Sequence, residues 1–99
     1  MNITYQLQGM VFEWDENKAQ SNLQKHSVTF EEAAEVFFDP FYQTGDASVD
    51  EGEERDFIIG YTFSQRLLLA VYTERNDRTR IISARLATRA ERKVYEEAD

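Results

Sequence analysis

The chain has a single histidine, His26, next to Lys25, and histidine is the side chain that ordinarily takes up and releases a proton near neutral pH. Farther along, the run RIISARLATRAERKVY, residues 80–95, gathers Arg80, Arg85, Arg89, Arg92 and Lys93 and ends on Tyr95. Together these residue types suit one chemistry. Cleaving RNA without a metal requires a base for the 2′-hydroxyl proton, cations for the charge that builds on phosphate, and an acid for the leaving oxygen. His, Lys, Arg, Glu and Tyr can fill those roles. Each residue also has a plainer fate: His26 as a cap on helix carbonyls, each arginine as a surface partner of the abundant carboxylates.

Other chemistries find little support. The four glycines, at 9, 45, 52 and 60, are scattered and form no phosphate-cradling loop. With one histidine and no cysteine only carboxylates remain as metal ligands, and the acidic segment lacks the ordered spacing of a calcium loop. We therefore expect no metal and no cofactor. A serine or cysteine triad has no basis either.

The 99 residues, 41% hydrophobic, suffice for one core and one domain. Without cysteine there is no disulfide framework. The opening MNITYQLQGM is not built like a signal peptide, and no apolar run approaches the roughly 20 residues that span a bilayer. A cytoplasmic protein with no membrane partner is expected. The formal charge of −8 argues against a polyanion as partner, yet it hides a division. Phe30 to Glu54 carries nine acidic residues and no basic one, whereas Arg75 to Lys93 carries seven basic and two acidic. With charges screened over about 8 Å at physiological salt, a local basic face can still hold an anion.

Periodicity and turn signals supply the elements that must position these residues. Residues 1–9 show no period and read as a loosely held extension, so the working domain is expected over 10–99. Val11 to Trp14 forms a strand, Asp15 caps a helix ending near Lys25 or His26, and Thr29 to Glu32 is a capping box opening a second helix. Asp39-Pro40 ends it. Phe41 to Thr44 is a candidate strand, and GDASVDEGEE reads as a mobile acidic loop. Strands follow at Arg55–Tyr61, Leu67–Thr73 and Thr79–Arg85, with a turn at Asn76-Asp77. Thr88 to Glu91 is a second capping box, opening a final helix that runs to about Glu97. The fold class is α+β: an antiparallel sheet with two N-terminal helices and one C-terminal helix. A two-residue period sends Arg80 and Arg85 to opposite faces unless the strand bulges between them. Arg85 is the better phosphate ligand, because the Thr88 helix start adds its own amides.

The runs FEWDENKAQSNLQKHSVTFEEAAEVFFDP, ERDFIIG, LLLAVYTER and RIISARLATRAERKVYEE resemble the BrnT toxin family over about residues 11–97. The resemblance implies a RelE-like fold and a metal-independent ribonuclease toxin of a type II toxin-antitoxin system. It also implies a cognate DNA-binding antitoxin of ribbon-helix-helix type, an RNA substrate and a possible homodimer. Matching positions are Lys18, Asn22, Lys25, His26, Glu54, Arg55, Arg80, Arg85, Thr88, Glu91, Arg92 and Tyr95. Among them the expected catalytic set is Lys25, His26, Glu54, Arg85 and Tyr95. His26 or Glu54 would serve as base, Arg85 and Lys25 as charge stabilisers, and Tyr95 or His26 as acid. Lys18, Arg55, Arg80 and Arg92 are expected to bind substrate. Two positions depart from the family pattern: Ser27 stands where a glycine usually follows the histidine, and Leu86 where a basic residue usually follows the strand arginine. The alternative reading is a non-catalytic module that docks an antitoxin or another protein.

Overall fold

The computed structural model describes residues 1–50 and 52–98. In chain order the elements are strands β1 (Asn2–Leu7) and β2 (Met10–Asp15), helices α1 (Glu16–His26) and α2 (Phe30–Glu35), and a 3-10 turn at Val36–Phe38. Strands β3 (Gln43–Asp50), β4 (Glu53–Tyr61), β5 (Leu67–Arg75) and β6 (Arg78–Leu86) follow, then helix α3 (Arg89–Glu97). The six strands form one sheet in the order β1-β2-β6-β5-β4-β3. Every pairing is antiparallel except β2 with β6, so the sheet is mixed rather than antiparallel throughout. The α+β class stands.

All three expected helix starts form. The Asp15 carboxylate accepts the Lys18 N–H, while Thr29 with Glu32 and Thr88 with Glu91 make reciprocal capping boxes. Helix α1 ends on Ser27 in the left-handed region (φ 56°), its N–H donating to the Leu23 carbonyl. Serine thus takes the conformation that glycine adopts more cheaply.

Helices α1 and α2 cover one face of the sheet. There Phe12, Trp14, Phe30, Ala33, Ala34, Val36, Ile58, Leu68, Ala70, Ile81 and Ala84 form the buried core. Ring contacts Trp14–Phe30 and Phe12–Phe37 lock helix to strand. Gly60 allows the 3-10 turn to sit against β4, because a Cβ there would lie 2.9 Å from the Val36 carbonyl oxygen. On the opposite face α3 lies over Phe57, Ile59, Leu69 and Val71, yet it buries no residue of its own.

Three expectations give way. Residues 2–7 form a strand paired with β2 along its whole length, not a loose extension. The connecting Gln8 and Gly9 both have positive φ, 48° and 86°, as a tight two-residue hairpin requires. The acidic segment forms the facing arms of the β3–β4 hairpin instead of a loop, although its Glu51 lies outside the described residues. Finally, β6 bulges: Val71 pairs with Ser83 and Tyr72 with Ile81, which leaves Ile82 as an extra residue.

Candidate active site

The bulge decides where the strand arginines point. Arg80 faces Thr73 and Arg85 faces Leu69, four residues apart on β5, so both lie on the same face, opposite α1 and α2. Their rows are about 13 Å apart along the strand, and each is engaged locally. The Arg80 guanidinium donates to Glu13 Oε2 and to Asn2 Oδ1, both at 2.7 Å. That of Arg85 meets Glu91 through both Nη atoms, at 2.6 and 2.8 Å.

The Glu91 carboxylate also accepts the Thr88 N–H at 2.9 Å, so it occupies the α3 N-terminus that was expected to hold an external anion. The Arg85 hydrogen bonds, helped by Thr88 against partial burial, hold its pKa down to about 2. Arg85 moves the other way, upward, for the same reason. Leu86, the next residue, is 52% exposed.

On α1 the residues Lys18, Ser21, Asn22 and Lys25 follow i, i+3, i+4, i+7 spacing and share a face. Together with His26 and with Ile82 and Ser83 of the bulge, they line a shallow cavity of about 230 Å³. Below β6's pairing with β2 the edge of β6 is open, and Asn22 fills the place of a strand partner. Its amide donates to the Ala84 carbonyl at 2.7 Å and to the Val28 carbonyl at 3.1 Å, and its Oδ1 accepts the Ala84 N–H at 3.0 Å. This buried residue holds the cationic face of α1 against the bulge. Ser83 lines the cavity from β6 and escaped the sequence reading, since no local pattern places it near the helix.

The remaining candidates lie elsewhere. Glu54 and Arg55 line a cavity of about 320 Å³ with Asp46 to Val49 of β3, at a level of the sheet near Thr73, and share no cavity with His26. Arg92 donates to the Tyr61 hydroxyl at 3.1 Å. The Tyr95 hydroxyl donates to Asp39 Oδ2 at 2.6 Å. Burial, this hydrogen bond and the Asp39 charge all push the phenol well above its ordinary range. Asp39 also accepts the N–H groups of Phe41 and Tyr61, each at 2.8 Å. Burial opposes its ionisation, but the three donors prevail and lower its pKa. In sequence Asp39 signalled only a helix stop before proline. No nearby pattern announces its link to a tyrosine 56 positions away.

Among the described residues no group of three or more His, Cys, Asp or Glu is placed to hold a metal ion, and no helix is long and apolar enough to cross a membrane.

Residues 14–91 match the sequence model of the ribonuclease toxin BrnT of type II toxin-antitoxin systems. The chain belongs to the BrnT family. Its fold is similar to the crystal structure of the Brucella abortus ribonuclease toxin BrnT, with a TM-score of 0.61 and 22% identity. That match covers 77% of this chain and 94% of the Brucella chain. No curated protein matches the sequence. The BrnT match begins at Trp14, so β1 lies before it.

Proposed function

We propose that this BrnT-family chain is a metal-independent endoribonuclease, with its reaction centre at the cavity between α1 and the β6 bulge. The observation that carries this reading is the convergence of Lys18, Lys25 and His26 on that cavity beside Ser83. His26 takes the 2′-hydroxyl proton as that oxygen attacks phosphorus. A bond from phosphorus to the 2′ oxygen forms, the bond to the 5′ oxygen breaks, and His26 returns the proton to the departing oxygen. Products are a 2′,3′-cyclic phosphate and a 5′-hydroxyl. Lys18 and Lys25 balance the charge that builds on the phosphate oxygens.

Arg85 lines a different cavity on the other face of the sheet, so in this reading it acts at the margin of the site, once its guanidinium turns from Glu91 toward phosphate. Arg80, with its two local partners, serves as a peripheral contact, as do Arg55 and Arg92. Glu54 shares no cavity with His26, which favours His26 as the base. Tyr95, committed to Asp39, anchors α3 in this reading. The cytoplasm is the proposed site of action, and a ribbon-helix-helix antitoxin encoded alongside, joined to one or two toxin copies, is the proposed partner.

The test is RNA degradation by the purified chain in EDTA. Wild type should cleave, His26→Ala should lose at least about 100-fold of the rate, and Lys25→Ala should lose somewhat less. Cleavage that survives His26→Ala, or that needs a divalent metal, rules the mechanism out. The Arg85–Glu91 pair is the one feature that favours the alternative of a non-catalytic antitoxin-binding module. Under that reading wild type and His26→Ala are equally inert.

A further inference from the structure

At the end of the sheet where β4 turns into β5, an open cavity of about 520 Å³ is walled by Phe38, Pro40, Phe41, Tyr61, Phe63 and Tyr95. No Leu, Ile, Val or Met takes part in its lining. Phe41 is 72% exposed and Phe63 53% exposed, and large apolar rings left in water around a cavity usually mark a binding surface. Their backbone is held in place. Asp39 accepts the Phe41 N–H at 2.8 Å, and Glu35 accepts the Phe63 N–H at 2.9 Å. Behind them Tyr61 and Tyr95 meet edge to face, with ring centroids 5.4 Å apart. The exposed rings therefore stand on a preorganised base.

We infer that this cavity binds unpaired nucleobases of a single-stranded RNA, stacked on Phe41 and Phe63, with the adjoining phosphate beside Arg92. Flat walls made of rings suit flat bases, and stacking on aromatic side chains is how proteins commonly hold splayed single strands. Arg92, placed at the rim by its hydrogen bond to the Tyr61 hydroxyl, supplies the cation, and the exposed Arg89 and Lys93 of α3 extend the basic edge. Thr62, Gln65 and the Asp39 carboxylate complete the lining; Asp39 accepts three internal hydrogen bonds, and the nearby Glu35 accepts one.

The β4–β5 turn ties this end of the sheet to the end of α1. Phe63 belongs to the β4–β5 turn, and Arg66 at the end of that turn donates to the carbonyl of Ser27, the residue after His26, at 3.1 Å. This inference rests on the ribonuclease reading and names where that substrate's flanking bases are held.

The experiment measures binding of a fluorescein-labelled 2′-O-methyl single strand, which cannot be cleaved, and of the corresponding duplex. Wild type, Phe41→Ala, Phe63→Ala, the double variant and Arg92→Ala are compared, with thermal unfolding as the control for folding. Each ring removed should weaken single-strand binding roughly 5- to 150-fold, the range of base–aromatic stacking, while duplex binding stays weak throughout. A double variant that binds the single strand within about twofold of wild type overturns the inference. So does a double variant that keeps RNA affinity but loses the small protein encoded by the adjacent reading frame, which would make the cavity a protein-docking site. Cleavage is read separately. Ring-dependent binding without any cleavage leaves the cavity intact and removes the ribonuclease reading, whereas cleavage with ring-independent binding does the reverse.

Discussion

Glu91 grips Arg85 with both carboxylate oxygens while its Oε1 also accepts the Thr88 N–H. One side chain thus closes the α3 cap and fastens that helix to the end of β6. The same device occurs at α2, where the capping-box Glu32 receives Arg66 Nη1 at 2.6 Å. Arg66, just before β5, and Arg85, near the end of β6, lie at the same end of the sheet, and each holds the first turn of a different helix. Because α3 buries nothing, it depends on these polar ties more than α2 does. Glu91→Gln keeps an acceptor for Thr88 but loses the charge. It should cost about 1 kcal/mol, which is a melting point lower by about 4–8 °C.

The pH dependence of the same pair has a fixed sign. Glu91 in the folded chain has its pKa depressed to about 2, so its stabilisation is complete above the ordinary carboxylate range and disappears as pH falls through about 2. Helicity of α3, followed by NMR, should be flat from neutrality to about pH 5 and then decline. In Glu91→Gln this acid-side decline should be much reduced.

Asn22→Ala should be among the most damaging single changes. It strips the Ala84 N–H, the Ala84 carbonyl and the Val28 carbonyl of their side-chain partner inside the structure. Unsatisfied buried groups cost about 1–3 kcal/mol each, so a loss on the order of 3 kcal/mol is expected in urea unfolding. A loss below about 1 kcal/mol would mean that water takes over the amide's role.

Tyr95→Phe separates an anchor from an acid. If the hydroxyl serves to hold α3 to Asp39, the variant loses stability while its cleavage rate stays within about threefold and the shape of its pH profile is kept. A 100-fold fall in rate, with the alkaline limb of the profile altered, would return Tyr95 to the catalytic set.

Hydrogen exchange tests the first strand. An edge strand is bonded on one side only, so within residues 2–7 amides directed at β2 should exchange slowly and the alternate ones quickly. Uniformly fast exchange would show that the pairing seen here is rarely populated in solution.

What could be read in advance was whatever is decided locally. Caps at Asp15, Thr29 and Thr88 depend on bonds three residues long, so their signatures are contiguous in sequence. The β4–β6 ladder followed from alternation and from the Asn76-Asp77 turn. What escaped is decided at a distance. β1 exists because Gln8 accepts a positive φ, which glutamine does not advertise. β3 carries little apolar character, and its register is fixed against β4, where a Cβ on Gly45 would lie 2.5 Å from the Phe57 ring. At the site, the α1 stripe was visible as spacing, but the company it keeps was not. Ser83 joins it only in the folded sheet, and Arg85 and Tyr95 are each matched with an acid that only folding brings near.

Ile82 acts as a phase shifter. A strand alternates its faces like a wave with a wavelength of two residues, and one inserted residue advances everything after it by half a cycle. Were Ile82 paired in regular alternation instead of bulging, Ala84 would turn outward and Arg85 would be driven into the apolar layer beneath α2. Two arginines five positions apart share a face because of a residue that touches neither partner. Deleting Ile82 should therefore straighten the strand yet leave Ser83, Ala84 and Arg85 on their present faces, and replacement by valine or threonine should likewise leave the orientation of Arg85 unchanged.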